Sequence, residues 1–162
     1  MNRITMGHDI YAIKEKQEIS YLRMSASEEL MQMIFYDIFD AQEFNGGVSG
    51  NNQSKEYSFT DVTRATEKLI AWKQKSQEEI QKCLEEYMEA TPNYVYDLIR
   101  KISGKQTEDG LKIIGETERV PHFPDQAQLL DCFTRITIFI AQTGFWCMKQ
   151  EEADPVFEIL FQ

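Results

Sequence analysis

Apolar positions change their spacing along this chain, and each change marks an element. Residues 8–13 and 18–23 are two β-prone runs around the charged turn Lys14, Glu15, Lys16 and Gln17, a pattern that predicts a hairpin within residues 1–24. A lone hairpin is marginal in water, so it must pack against other elements. From residue 25 the spacing shifts to three and four. Leu30, Ile34 and Ile38 form one row and Met31, Phe35 and Phe39 the next, which predicts a helix over 25–44 with a serine cap at Ser25 or Ser27. Residues 45–59, rich in Gly, Asn and Ser, read as a loop.

A longer periodic stretch follows. Val62, Ala65, Leu69, Trp72, Ser76, Ile80, Cys83 and Tyr87 recur at near-heptad spacing, which predicts one long helix over 60–90 capped by Thr60. Pro92 restarts a shorter helix over 91–103, and 104–124 is irregular with a short strand candidate at 111–114. Leu129, Leu130, Phe133, Ile136, Phe139, Ile140 and Trp146 lie almost all round a helix over 125–150, the pattern of a central buried helix. Arg135 within it needs a partner, and Asp131 one turn earlier can supply it. Residues 151–162 are a tail or a final strand on the hairpin; their ending resembles the left half of a picornaviral protease recognition site, which would give part of the segment an engineered origin. The expected fold class is mainly α (α+β): a four-helix core with one long helix and a small N-terminal β-hairpin, in a single domain.

Charge narrows the function classes. The 162 residues carry a net charge of −10 with no substantial basic cluster, which disfavours nucleic acid and anionic membranes as partners. The acidity reads first as solubility and second as a face for a basic protein partner. Cys83, Cys132 and Cys147 are widely spaced and fall in apolar helical patterns, so they read as core residues of a reduced, cytoplasmic protein. No secretory signal opens the sequence, and no stretch is apolar enough to span a bilayer.

Candidate chemistry is sparse. His8, Asp9, His122 and Asp125 together have the donor types of a zinc or iron site, the basis of an alternative reading as a small metal-dependent enzyme. The competing expectation is two unrelated histidines whose replacement by alanine leaves stability nearly unchanged. The stretch Gly46-Gly47-Val48-Ser49-Gly50 lacks the lysine and hydroxyl pair of a phosphate loop and reads as a plain connection. With neither a catalytic constellation nor a cofactor motif, the leading expectation is a small acidic protein of immunity, inhibitor or regulatory type. It would act by protein–protein interaction, with Trp72 as anchor beside Glu78, Glu79, Glu85 and Glu86. A second alternative is a self-associating helical module, a homodimer through the heptad face.

Overall fold

The computed structural model describes residues 7–91 and 125–162. The helix expected over 91–103, the strand candidate at 111–114 and His122 therefore lie outside the described residues, save Thr91 at the end of the preceding helix. Within them the order is β1 (Gly7–Lys14), β2 (Gln17–Ser25), α1 (Glu29–Ile38), β3 (Gln53–Ser58), α2 (Phe59–Lys73), α3 (Gln77–Ala90), α4 (Gln126–Met148) and β4 (Val156–Phe161). The four strands form one antiparallel sheet in the order β2-β1-β4-β3. This corrects the expected helical core with a small hairpin: the protein is α+β, and the hairpin is half of a larger sheet.

β1 and β2 turn through Glu15 and Lys16, both left-handed at φ 51° and 69°, the two-residue geometry whose twist matches that of the strands. β4 then adds to β1, with Ile10 opposite Phe161 and Ala12 opposite Ile159. Because β4 lies between β1 and β3, the C-terminal segment is an interior strand and not an appended tail. The expected loop over 45–59 contains β3, whose polar sequence Gln53-Ser54-Lys55-Glu56-Tyr57-Ser58 hides its strand character. Such a sequence suits an edge strand, where polar side chains discourage further pairing. Gly50 has a specific reason to be glycine: a Cβ there would stand 2.5 Å from the Phe161 carbonyl carbon.

Side chains alternate across the sheet. His8, Ile10, Ala12, Ser20, Leu22, Met24, Phe157, Ile159 and Phe161 are buried on one face. The other face carries Asp9, Tyr11, Tyr21, Arg23 and Leu160, all at least partly open to solvent. The most enclosed helix is α1, with every residue from Met31 to Tyr36 buried. It packs against α2, α3 and α4, and its Tyr36 reaches His8 and Phe161 of the sheet. Its rings interlock with their neighbours: Phe35 and Phe39 meet Phe139 of α4, and Tyr36 stacks on Phe161 at 5.6 Å.

The long helix expected over 60–90 is two helices. Ser76 caps α3 by accepting from the Glu79 backbone N–H at 3.2 Å. Ser76-Gln77-Glu78-Glu79 is the Ser-x-x-Glu order of a helix start, which the apolar periodicity running through Ser76 masked. Ser58, not Thr60, caps α2, in a reciprocal box with Asp61. The Thr60 backbone N–H donates instead to Asp154 at 2.8 Å.

Arg135 joins three elements. Its guanidinium donates to Glu28 at 2.5 Å, just before α1, and to the backbone carbonyl of Arg23 in β2; Asp131, the expected partner, is at 3.8 Å. Both members of the Arg135–Glu28 pair are about one-third exposed, so water screens part of the attraction. Arg135→Ala is expected to lower stability by about 1–2 kcal/mol, the range of a charge-assisted bond discounted for that screening. A urea titration checks it, and Arg135→Lys should recover only part of the loss, because an ammonium cannot reproduce the guanidinium fork.

Candidate functional site

Of the two histidines, His8 lies among the described residues. It is fully buried on the inner face of β1, with Nδ1 2.9 Å from the Tyr36 hydroxyl and Nε2 3.0 Å from the Gly47 carbonyl oxygen. Desolvation, the largest influence, lowers its pKa, with the positive charge of Arg23 acting in the same direction. The ring is therefore neutral at physiological pH. A carbonyl can only accept, so Nε2–H donates to Gly47 and Nδ1 accepts the Tyr36 O–H. Both nitrogens are occupied in tying β1 to α1 and to the loop before β3. This overturns the expectation that His8 is dispensable, and it gives the glycine-rich stretch a structural role.

Of the proposed metal ligands, the three among the described residues, His8, Asp9 and Asp125, are not brought together. Asp9 follows His8 in an extended strand and so faces the opposite side of the sheet, where it accepts from Tyr21 at 2.5 Å and Arg23 at 2.8 Å. That contact and burial push the Tyr21 phenol up to about 12, with burial the larger cause. Asp125 caps α4, accepting from the Gln128 backbone N–H at 2.8 Å. Among the described residues, no group of three His, Cys, Asp or Glu side chains is placed to hold a metal ion.

Two buried hydroxyls are also engaged. Ser20 and Thr143 meet at 2.6 Å between β2 and α4. Thr143 donates its single hydroxyl hydrogen to the Phe139 carbonyl, so Ser20 must be the donor of the pair. Cys132 and Cys147 are buried, and desolvation pushes their thiols up to about 12 and about 11, far from the thiolate a nucleophile requires. A cleft of about 340 Å³ at the hairpin end is lined by Lys14, Glu15, Lys16, Glu56 and Glu158, and no serine, cysteine or histidine lines it.

The expected partner-binding residues separate into two groups. Trp72 is buried at 8% exposure near the end of α2, its indole N–H donating to Asp37 at 2.8 Å, so its ring is occupied within the molecule. Glu78, Glu79, Glu85 and Glu86 are exposed on α3, whose opposite side buries Ile80 and Leu84. Glu78 and Glu79 complement the helix N-terminus. Glu85, Glu86 and Glu89 run toward the C-terminus, where the helix's last turn holds no basic residue and negative charge is unfavourable.

The most prominent surface feature is on α4, and the pattern reading placed it wrongly. This helix is not central. One side packs on β2, α1 and α2, while the opposite side exposes Leu130 at 69%, Ile138 at 51%, Phe145 at 61% and Met148 at 68%. Apolar residues all round a helix ordinarily imply burial on all sides. Here α1 takes the enclosed position and α4 lies outside it. Between the large side chains sit Thr134 and Ala141, also exposed, and no residue over 136–148 carries a charge. Thr134, Ile138, Ala141, Phe145 and Met148 alternate four and three residues apart, the spacing of a helix–helix seam. Together the four large side chains present on the order of 500 Å² of apolar surface, within the range where a monomer's largest patch is often functional.

Compared with protein-family models, curated proteins and solved structures, the chain gives no match. The class is therefore defined by the fold and the surface alone: an acidic α+β protein with a four-stranded antiparallel sheet and an apolar helical face open to solvent. Among the described residues, no helix is long and apolar enough to cross a membrane.

Proposed function

We propose that this protein is a cytoplasmic protein of immunity, inhibitor or regulatory type, and that it acts by binding protein through the outer face of α4. The observation that supports this most is the charge-free strip of Leu130, Ile138, Phe145 and Met148, which the fold leaves in water although the rest of the molecule is richly charged. An exposed strip of this size favours aggregation unless a partner covers it, so its presence on an otherwise acidic surface argues for use. The carboxylates of α3 form a second, electrostatic contact region suited to basic side chains. They add rate and selectivity more than affinity.

The test is retrieval from the source organism with a tagged protein, scored for any bound protein, an untagged copy of the chain included. Wild type should retain a partner that Phe145→Glu loses while its circular dichroism spectrum is unchanged. Equal retention by both, or retention by neither, would sink the reading. Glu85→Lys with Glu86→Lys should weaken retention chiefly at low salt, because exposed charges are screened as ionic strength rises.

A further inference from the structure

Resting on that reading of α4, we infer that the partner is a second copy of this chain, docked by antiparallel packing of the two α4 helices about a two-fold axis. The first support is steric. With the axis passing beside the helix between Phe139 and Ile140, Ile138 falls opposite Ala141 of the second copy and Phe145 opposite Thr134 of the second copy. Each large exposed side chain near the axis therefore meets a small one, as a self-complementary interface requires. The seam spacing of four and three gives side chains from one helix the holes of the other, and α4, at 23 residues and about 34 Å, is long enough for a substantial contact.

The second support is charge. Two chains of net charge −10 repel over most of their surfaces, and along residues 136–148 of α4 they can meet without opposing carboxylates. At its ends the same antiparallel arrangement brings Asp131 beside Lys149 of the second copy, and Lys149 beside Asp131 of the second copy. Both residues lie on one flank of the helix, and both are exposed. A parallel two-fold arrangement would put this flank of the two copies on opposite sides of the seam and form no such pair. A partner helix of strongly basic character would find no carboxylate along residues 136–148 to meet it.

Sedimentation of the purified full chain across a hundredfold concentration range tests this. The wild type should approach twice the 19.0 kDa chain mass at high concentration, and Ile138→Glu and Phe145→Glu should stay monomeric and folded, with at least a tenfold weaker association. Asp131→Lys alone and Lys149→Asp alone should each weaken the dimer several-fold, and the two together should restore it. A wild type that stays monomeric throughout overturns the inference. If retrieval from the source organism still depends on Phe145, the face binds a different protein and only the identity of the occupant is wrong. If Ile138→Glu and Phe145→Glu instead unfold a monomer, another stretch of the same chain covers the face, and both readings fail. A dimer unaffected by either substitution, or one that the paired charge exchange does not restore, overturns the antiparallel α4 interface.

Discussion

Phe161→Ala should lower the unfolding free energy by about 3–5 kcal/mol, the usual range for emptying a fully buried phenylalanine site. Phe161 lies in β4, the strand between β1 and β3. Here it has no exposed surface, its ring stacks on Phe44 at 4.8 Å and on Tyr36 at 5.6 Å, and its backbone carbonyl accepts from Asn52 at 2.7 Å. Removing the ring leaves a cavity between sheet and α1 that the surrounding aromatics cannot close without breaking their own contacts. Against a typical domain stability of roughly 5–15 kcal/mol, the loss is a large fraction of the total. In urea the midpoint should fall by roughly 2 M, at a slope typical of a small domain. Leu160→Ala, one residue earlier on the opposite and partly exposed face, should cost far less. Equal losses at the two positions would mean that β4 is not held as an interior strand.

The contrast between Phe161 and Leu160 also shows what the amino-acid pattern could reveal. The hairpin of β1 and β2 was legible because two β-prone runs flank the charged turn at residues 14–17. In residues 156–161 the outward positions are Val156, Glu158 and Leu160, so the run reads as uniformly apolar apart from one charge. A strand reading was available there, but no local property could place it between β1 and β3, because pairing order is a long-range choice. β3 lay beyond periodicity altogether: as a polar edge strand it offers Tyr57 as its sole large apolar residue, fixed by a hydroxyl donating to the Phe39 carbonyl at 2.8 Å. The division of the long helix, by contrast, was legible. Ser76 followed by Glu79 is a start signal, and an uninterrupted apolar row can cross two helices joined by a short turn. On α4 the near-continuous apolar pattern pointed to a central helix, but it carried no information on which side the other described elements would leave uncovered. Enclosure depends on competition between helices for the sheet, and α1, with its dense row of Phe35, Tyr36 and Ile34, occupies the enclosed position.

Replacing His8 by alanine should destabilise the fold by about 2–4 kcal/mol near pH 7.5, and the deficit should narrow as the pH falls. The first part follows from what the imidazole satisfies: without it the Gly47 carbonyl and the Tyr36 hydroxyl both lose their partner in a water-poor site, and a cavity opens between β1 and α1. The second part follows from the direction of its shift. Burial and Arg23 lower the pKa of His8, while its bond to Gly47 and the charge of Asp9 oppose them without cancelling the effect. Above the unfolded value of 6.5 the imidazole is neutral in both states, and the contribution to stability is complete. As the pH drops through 6.5 and toward the lower folded value, the unfolded chain binds a proton that the native ring refuses, so wild-type stability falls. Each unit between the two pKa values corresponds to about 1.4 kcal/mol. The alanine variant has no such proton to bind, so its deficit relative to wild type is largest above pH 6.5 and shrinks below it. Urea titrations of both proteins at pH 7.5 and pH 5.5 measure the difference directly. A deficit that is the same at both pH values would show that His8 titrates alike in the folded and unfolded chain. A deficit that widens under acid would show a folded-state pKa raised, not lowered, and the neutral Tyr36–His8–Gly47 chain would then be wrong.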